Sequence, residues 1–145
     1  MRVRTSTGSI ALCLALLGCA SPLDSATGPL DWAEADERWS VQVATVDPDG
    51  DLRLTRIWLA LLDGTGTIRT NETRWLRNLK RDPNLRLRIS GVDHPLHVEF
   101  IEDDAEIRRV DAAFREKYGW RDRMVGKHDY FMRLVAPSYE KPRDW

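Results

Sequence analysis

Apolar and polar positions alternate with a period of two over most of the stretch from Val41 to Val135, the pattern of strands that bury one face. Val41, Val43 and Thr45 alternate with Gln42, Ala44 and Val46 and predict a first strand. In the turn Asp47-Pro48-Asp49-Gly50, proline presets φ and glycine accepts a positive value. Asp51 to Leu62 predicts one long second strand, with Arg53, Thr55, Ile57 and Leu59 on one face and Leu54, Arg56, Trp58 and Ala60 on the other. Asp63-Gly64-Thr65-Gly66 leads into a third strand, Thr67 to Thr70. Three strands joined by tight turns predict an antiparallel meander.

The spacing then becomes helical. Trp75, Leu76 and Leu79 predict a short helix after the polar turn Thr70-Asn71, ended at Asp82-Pro83 because the residue before proline is pushed out of the helical region. Leu85, Leu87 and Ile89 alternate with Arg86 and Arg88; after Gly91-Val92-Asp93, Leu96, Val98 and Phe100 alternate with His97 and Glu99. Asp103 as N-cap, with Glu106 reaching back, opens a longer helix. Its Ile107, Val110, Phe114 and Tyr118 share a face, and Gly119 ends it. Trp120 to His128 reads as a charged loop and Tyr130 to Val135 as the last strand. Asp31 to Arg38 carries a weak signal for one or two helical turns. The expected fold is mainly β with two helices, a small antiparallel barrel whose helices lie against its openings. A two-layer α+β sandwich is the competing layout.

The first nineteen residues stand apart. Arg2 and Arg4 precede an apolar run, Ile10 to Leu17, that is too short to span a bilayer and suits a secretory signal. Leu16-Leu17-Gly18-Cys19 closes it, and a small residue directly before cysteine resembles the bacterial lipobox. The expected organisation is a signal peptide and lipobox over 1–19, lipidated at Cys19; a linker over 20–38; a barrel domain over 39–136; and a tail over 137–145. An ordinary cleaved signal with an incidental Cys19 is the alternative. Lipidation would place the protein in the cell envelope, exported and anchored to a membrane. Loss of Arg2 and Arg4 takes the formal charge from −1 to −3, and Cys13 departs with the signal. The mature chain then has no disulfide, thiol nucleophile or cysteine zinc site.

A net charge of −1 over 145 residues argues against nucleic-acid binding. Basic charge is nevertheless concentrated, with seven Arg or Lys residues from Arg69 to Arg88 opposed only by Glu72 and Asp82. A turn feeding a helix N-terminus among arginines suits an anion. Arg77, Lys80 and Arg81 fit the exposed helix face, and Arg86 and Arg88 an outer strand face, so a solvated surface accounts for most of the cluster; the functional reading is reserved for Arg56 and Arg74, and an anion contact, if one exists, is formed by Arg56, Thr70 and Arg74. Of the six tryptophans, Trp75 at the helix start is the candidate stacking wall, and Trp58 reads as barrel core. His94 and His97 lie three apart on an extended segment and point to opposite faces, so no metal site is expected. Asp103, Asp104 and Glu106 are explained by helix capping, and no Gly-x-Ser-x-Gly element is present. No catalytic residue stands out.

Arg56-Ile57-Trp58, a hairpin, Thr70, and then Trp75-x-x-Asn78-Leu79-x-x-Asp82-Pro83 before an alternating strand together resemble the split-barrel superfamily. That group includes pyridoxamine-phosphate-oxidase-like flavoproteins and deazaflavin-dependent nitroreductase-like proteins. Val110 to Gly119 is similar to an uncharacterised branch of it. The resemblance covers Val41 to Val135 and implies a six- to seven-stranded antiparallel split β-barrel, dimeric, with FMN or a deazaflavin in a groove between protomers. It assigns cofactor binding to Arg53, Thr55 and Arg56 on the second strand, and to Thr70, Thr73, Arg74, Trp75 and Asn78 in the turn and helix. An enzyme of this kind would be an oxidoreductase in which the cofactor does the redox chemistry. The alternative is a cofactor-less binding or interaction module of the cell envelope.

Overall fold

The computed structural model describes residues 26–27 and 30–137. The signal segment with its lipobox Cys19, and the tail beyond Pro137, lie outside the described residues. In chain order the elements are β1 (Ala26–Thr27), α1 (Trp32–Glu37), β2 (Val41–Val46), β3 (Leu52–Ile57), β4 (Ala60–Leu62), β5 (Thr65–Thr70), α2 (Arg74–Arg81), β6 (Asn84–Ile89), β7 (Val92–Phe100), α3 (Asp104–Tyr118), α4 (Trp120–Val125) and β8 (Tyr130–Val135). Strands β2 to β8 form one curled antiparallel sheet in the order β3-β2-β6-β7-β8-β5-β4, and β1 runs parallel to β7. The expected class, mainly β and a split barrel, is the observed one.

The connectivity differs from a meander. β2 pairs with β3 and β4 with β5, but β3 and β4 stand at opposite ends of the strand order. The long strand expected from Asp51 to Leu62 breaks at Trp58-Leu59, the dipeptide that joins the two edges of the split. No glycine or proline marks the break; it exists because β3 and β4 find different partners.

Alternation does the rest. Val43, Leu87, Ile68, Met132 and Leu134 fill the barrel, and α2 adds Trp75, Leu76 and Leu79. Thr73 caps α2 by accepting from the Leu76 N–H, and the chain leaves the helix at Asp82. On the opposite face of β8, Phe131 joins Ala60, Ile101 and the α3 residues Val110, Phe114 and Tyr118 in a second cluster. Asp103 caps α3 through the Glu106 N–H, but the Glu106 carboxylate does not reach back; it pairs with Arg133.

Two segments are more ordered than their sequences indicate. Asp31 caps α1, Ala35 is fully buried, and the Trp32 ring lies so close over Gly66 that any Cβ there would collide with it. Helix α1 therefore packs as part of the barrel unit. Trp120 to Val125, expected as loop, is helix α4. Its buried residue is a carboxylate, Asp122, so apolar periodicity carries no trace of it. No helix among the described residues is long and apolar enough to cross a membrane.

Candidate functional site

Three of the residues expected to contact a ligand, Arg53, Arg74 and Asn78, lie at one end of the barrel, around a carboxylate. Asp47, 5% exposed, ends the inward row that begins at Val41. Arg53 forks onto it, with Nε 3.0 Å from Oδ1 and the terminal nitrogen 2.9 Å from Oδ2. Arg74 reaches the same Oδ2 at 2.9 Å, and the buried Asn78 donates to Oδ1 at 2.7 Å and to Thr45 Oγ1 at 3.1 Å. Hydrogen bonds from Arg53 and then Asn78 hold the Asp47 carboxyl down to about 2. The anion at this end of the barrel is thus the protein's own. Thr73 is committed to capping α2, and Glu72 pairs with Lys80 and Arg77 rather than with Arg74. Thr55 sits half-buried opposite Val43.

Arg56, Thr70 and Trp75 come together elsewhere, in a cavity of about 200 Å³ beside the split. Trp58, Arg69, Phe114, Val125 and His128 complete its lining. Trp75 is 6% exposed and contributes mainly core packing, whereas Trp58 is half-buried. One face of the Trp58 ring stacks on Tyr118, 4.3 Å between centroids and 10° between planes, and Trp39 meets the pair edge-on. Tyr118 in turn fixes the strand break. Its hydroxyl donates to the Leu59 carbonyl at 2.8 Å and accepts from the Leu59 N–H at 3.1 Å. Burial raises the Tyr118 phenol to about 12, so it keeps its proton through the physiological range.

Neither Arg69, counted only among the basic residues up to Arg88, nor His128 was expected in the site. Arg69 points from β5 beneath α3, where it pairs with Asp111 and Asp122 and lies 4.1 Å over the Phe114 ring. His128 is placed by a loop whose ends are pinned: Asn71 donates to the Lys127 carbonyl at 3.1 Å and accepts from the Asp129 N–H at 3.0 Å. Burial, then the positive charge of Arg69, lowers His128 below its ordinary value, leaving the ring neutral at pH 7. Its Nδ1 is buried without a hydrogen-bond partner among the described residues. No three metal-ligating side chains gather among those residues.

A curled antiparallel sheet left open along one line, with helices over its ends, is the split β-barrel. The chain belongs to the DUF2255 family, described as uncharacterized proteins conserved in bacteria, whose model matches residues 32–130. Solved structures share the fold. The conserved hypothetical protein Rv2991 of Mycobacterium tuberculosis is 23% identical with a TM-score of 0.58, over 74% of this chain and 78% of that one. The heme storage protein HutZ of Vibrio cholerae is 18% identical with a TM-score of 0.60, over 73% of this chain and 87% of that one. An F420-H2 dependent reductase, FDR-A, is 13% identical with a TM-score of 0.51, over 67% and 94%. A search of functionally curated proteins returns no match.

Proposed function

We propose that this chain is an exported, lipid-anchored split-barrel protein that binds a planar, anionic cofactor of the flavin or deazaflavin class between two copies of itself. The observation that carries this reading is the cavity at the split. It gathers a tryptophan face, Trp58, with Arg56, which has no ion-pair or hydrogen-bond partner among the described residues, and with Thr70. An aromatic wall beside a free guanidinium suits a flat ring bearing negative charge. At about 200 Å³ the cavity is smaller than the roughly 300–1,000 Å³ that such ligands occupy. Beside it stands exposed apolar surface: Trp39 at 48%, Val125 at 48% and Met124 at 75% exposure. A second copy seated there would cover these side chains and enlarge the groove.

When bound, a flavin supplies hydride and electron transfer; the chain's residues bind, orient and exclude water. Arg56 would neutralise an anionic group, the Thr70 hydroxyl, which donates to the Asn71 carbonyl at 3.1 Å, would have to turn from that carbonyl to reach it, and Trp58, backed by Tyr118, would hold the ring plane. Two proteins of the same fold are named for different cofactors, one a heme storage protein and one an F420-H2 dependent reductase, which makes the absorption spectrum of the full-length protein the first experiment. A flavin-type band, with Arg56→Ala weakening FMN affinity by about ten- to a hundredfold and Arg77→Ala leaving it unchanged, is the expected result. Light scattering should give twice the chain mass. Failure of the wild type to bind FMN or deazaflavin would leave the cofactor-less envelope module as the better reading.

A further inference from the structure

We propose a second site on the α3–α4 side of the barrel, built to take a phosphate-type dianion and adjoining the cavity at the split through Arg69 and His128, which line both. The cavity there measures about 500 Å³ and is reached past Arg115, Arg123 and Lys127. None of these three side chains has an ion-pair or hydrogen-bond partner among the described residues. Its floor is Arg69, whose side chain is only 4% exposed and whose Nε is buried without a hydrogen-bond partner among the described residues. His128 lines the same cavity with its buried, unpartnered Nδ1.

Charge counting sets the ligand class. Arg69 is balanced by Asp111 and Asp122, so that group alone is already saturated with negative charge. With Arg115, Arg123 and Lys127 the lining carries four cations against two carboxylates, a net excess of two positive charges, and His128 is neutral. The cavity therefore holds an uncompensated excess of cations around buried donors. Like charges gathered at one cavity mouth repel, and a multivalent oxyanion relieves that repulsion while satisfying the forked guanidinium donors. The volume admits more than a bare ion, so the class is a small molecule bearing a phosphate monoester. This arrangement is distinct from the Asp47 cluster, where the arginines already hold a carboxylate.

The site does not depend on the flavin reading, and the test is chosen to keep the two apart. Full-length protein is titrated calorimetrically with sodium sulfate, and separately with methyl phosphate, at constant ionic strength balanced by chloride. Saturable binding is expected, weakened about tenfold or more by Arg123→Gln and by Lys127→Gln, and unchanged by Arg77→Gln on α2. Both site residues are exposed, so the variants should fold; their circular dichroism verifies it. Addition of FMN then identifies the source of the dianion. Displacement of sulfate makes the pocket the cofactor's own phosphate subsite and overturns a second site; lack of displacement supports it. A non-saturating response, or one equal in wild type and both site variants, overturns it and makes the three cations a solvated surface.

Discussion

Tyr118 clasps the Trp58-Leu59 link between the two edges of the split, which makes Tyr118→Phe the sharpest test of how the barrel is held. The substitution keeps the ring and its stacking on Trp58 and deletes the hydroxyl. Of the two hydrogen bonds lost, one is replaceable, because the Leu59 carbonyl also accepts from Lys117 Nζ at 2.7 Å. The Leu59 N–H has no such substitute, and Leu59 is 1% exposed, so water cannot take the place of the phenol. An orphaned buried donor costs about 1–3 kcal/mol. For a domain of this size each kcal/mol lowers the melting temperature by about 4–8 °C. Urea unfolding followed by tryptophan fluorescence should therefore show a lower midpoint at an unchanged slope. Near-ultraviolet circular dichroism should stay the same, because the Trp58–Phe stack survives. Tyr118→Leu should lose a further ~0.5–1.5 kcal/mol together with the aromatic signal. A Tyr118→Phe variant as stable as the wild type would refute the reasoning, since it would mean that Leu59 is solvated or that the split needs no clasp.

Asp47 is ionised at lower pH in the folded protein than when unfolded, from an ordinary value of 3.8 down to about 2. Its contribution is thus complete above about pH 4 and is lost as pH falls through 2; acid unfolding of Asp47→Asn should show a correspondingly flatter dependence over that window, and an unchanged profile would contradict the assignment. At the other end of the chain, Cys19→Ala should abolish incorporation of labelled fatty acid and leave an uncleaved or unanchored protein. Equal labelling of both forms would reject lipidation.

The sequence by itself determined the elements whose energetics are local. Period-two alternation placed β2, β6 and β8, because a strand half-buried in one sheet must repeat every second residue. Asp103 and Gly119 marked the ends of α3, because caps act within one turn of chain. The split-barrel class was legible from the motif running from Arg56 to Pro83. What the sequence did not determine is which charges meet. Arg53, Arg74 and Asn78 looked like a cofactor's phosphate contacts, and only the folded barrel brings Asp47 to them, from a turn whose residues are otherwise explained by backbone preference alone. Helix α4 was invisible because its buried group is Asp122, matched to Arg69 from a strand far away in the chain, and a carboxylate leaves no hydrophobic period. Trp58 and Trp75 are equally apolar as letters; burial depends on where the strand breaks, and the break at Trp58-Leu59 follows from β3 and β4 joining opposite edges of the sheet. Pairings between distant charges and between distant strands are set by the closed geometry of the whole barrel, and only the tertiary structure decides them.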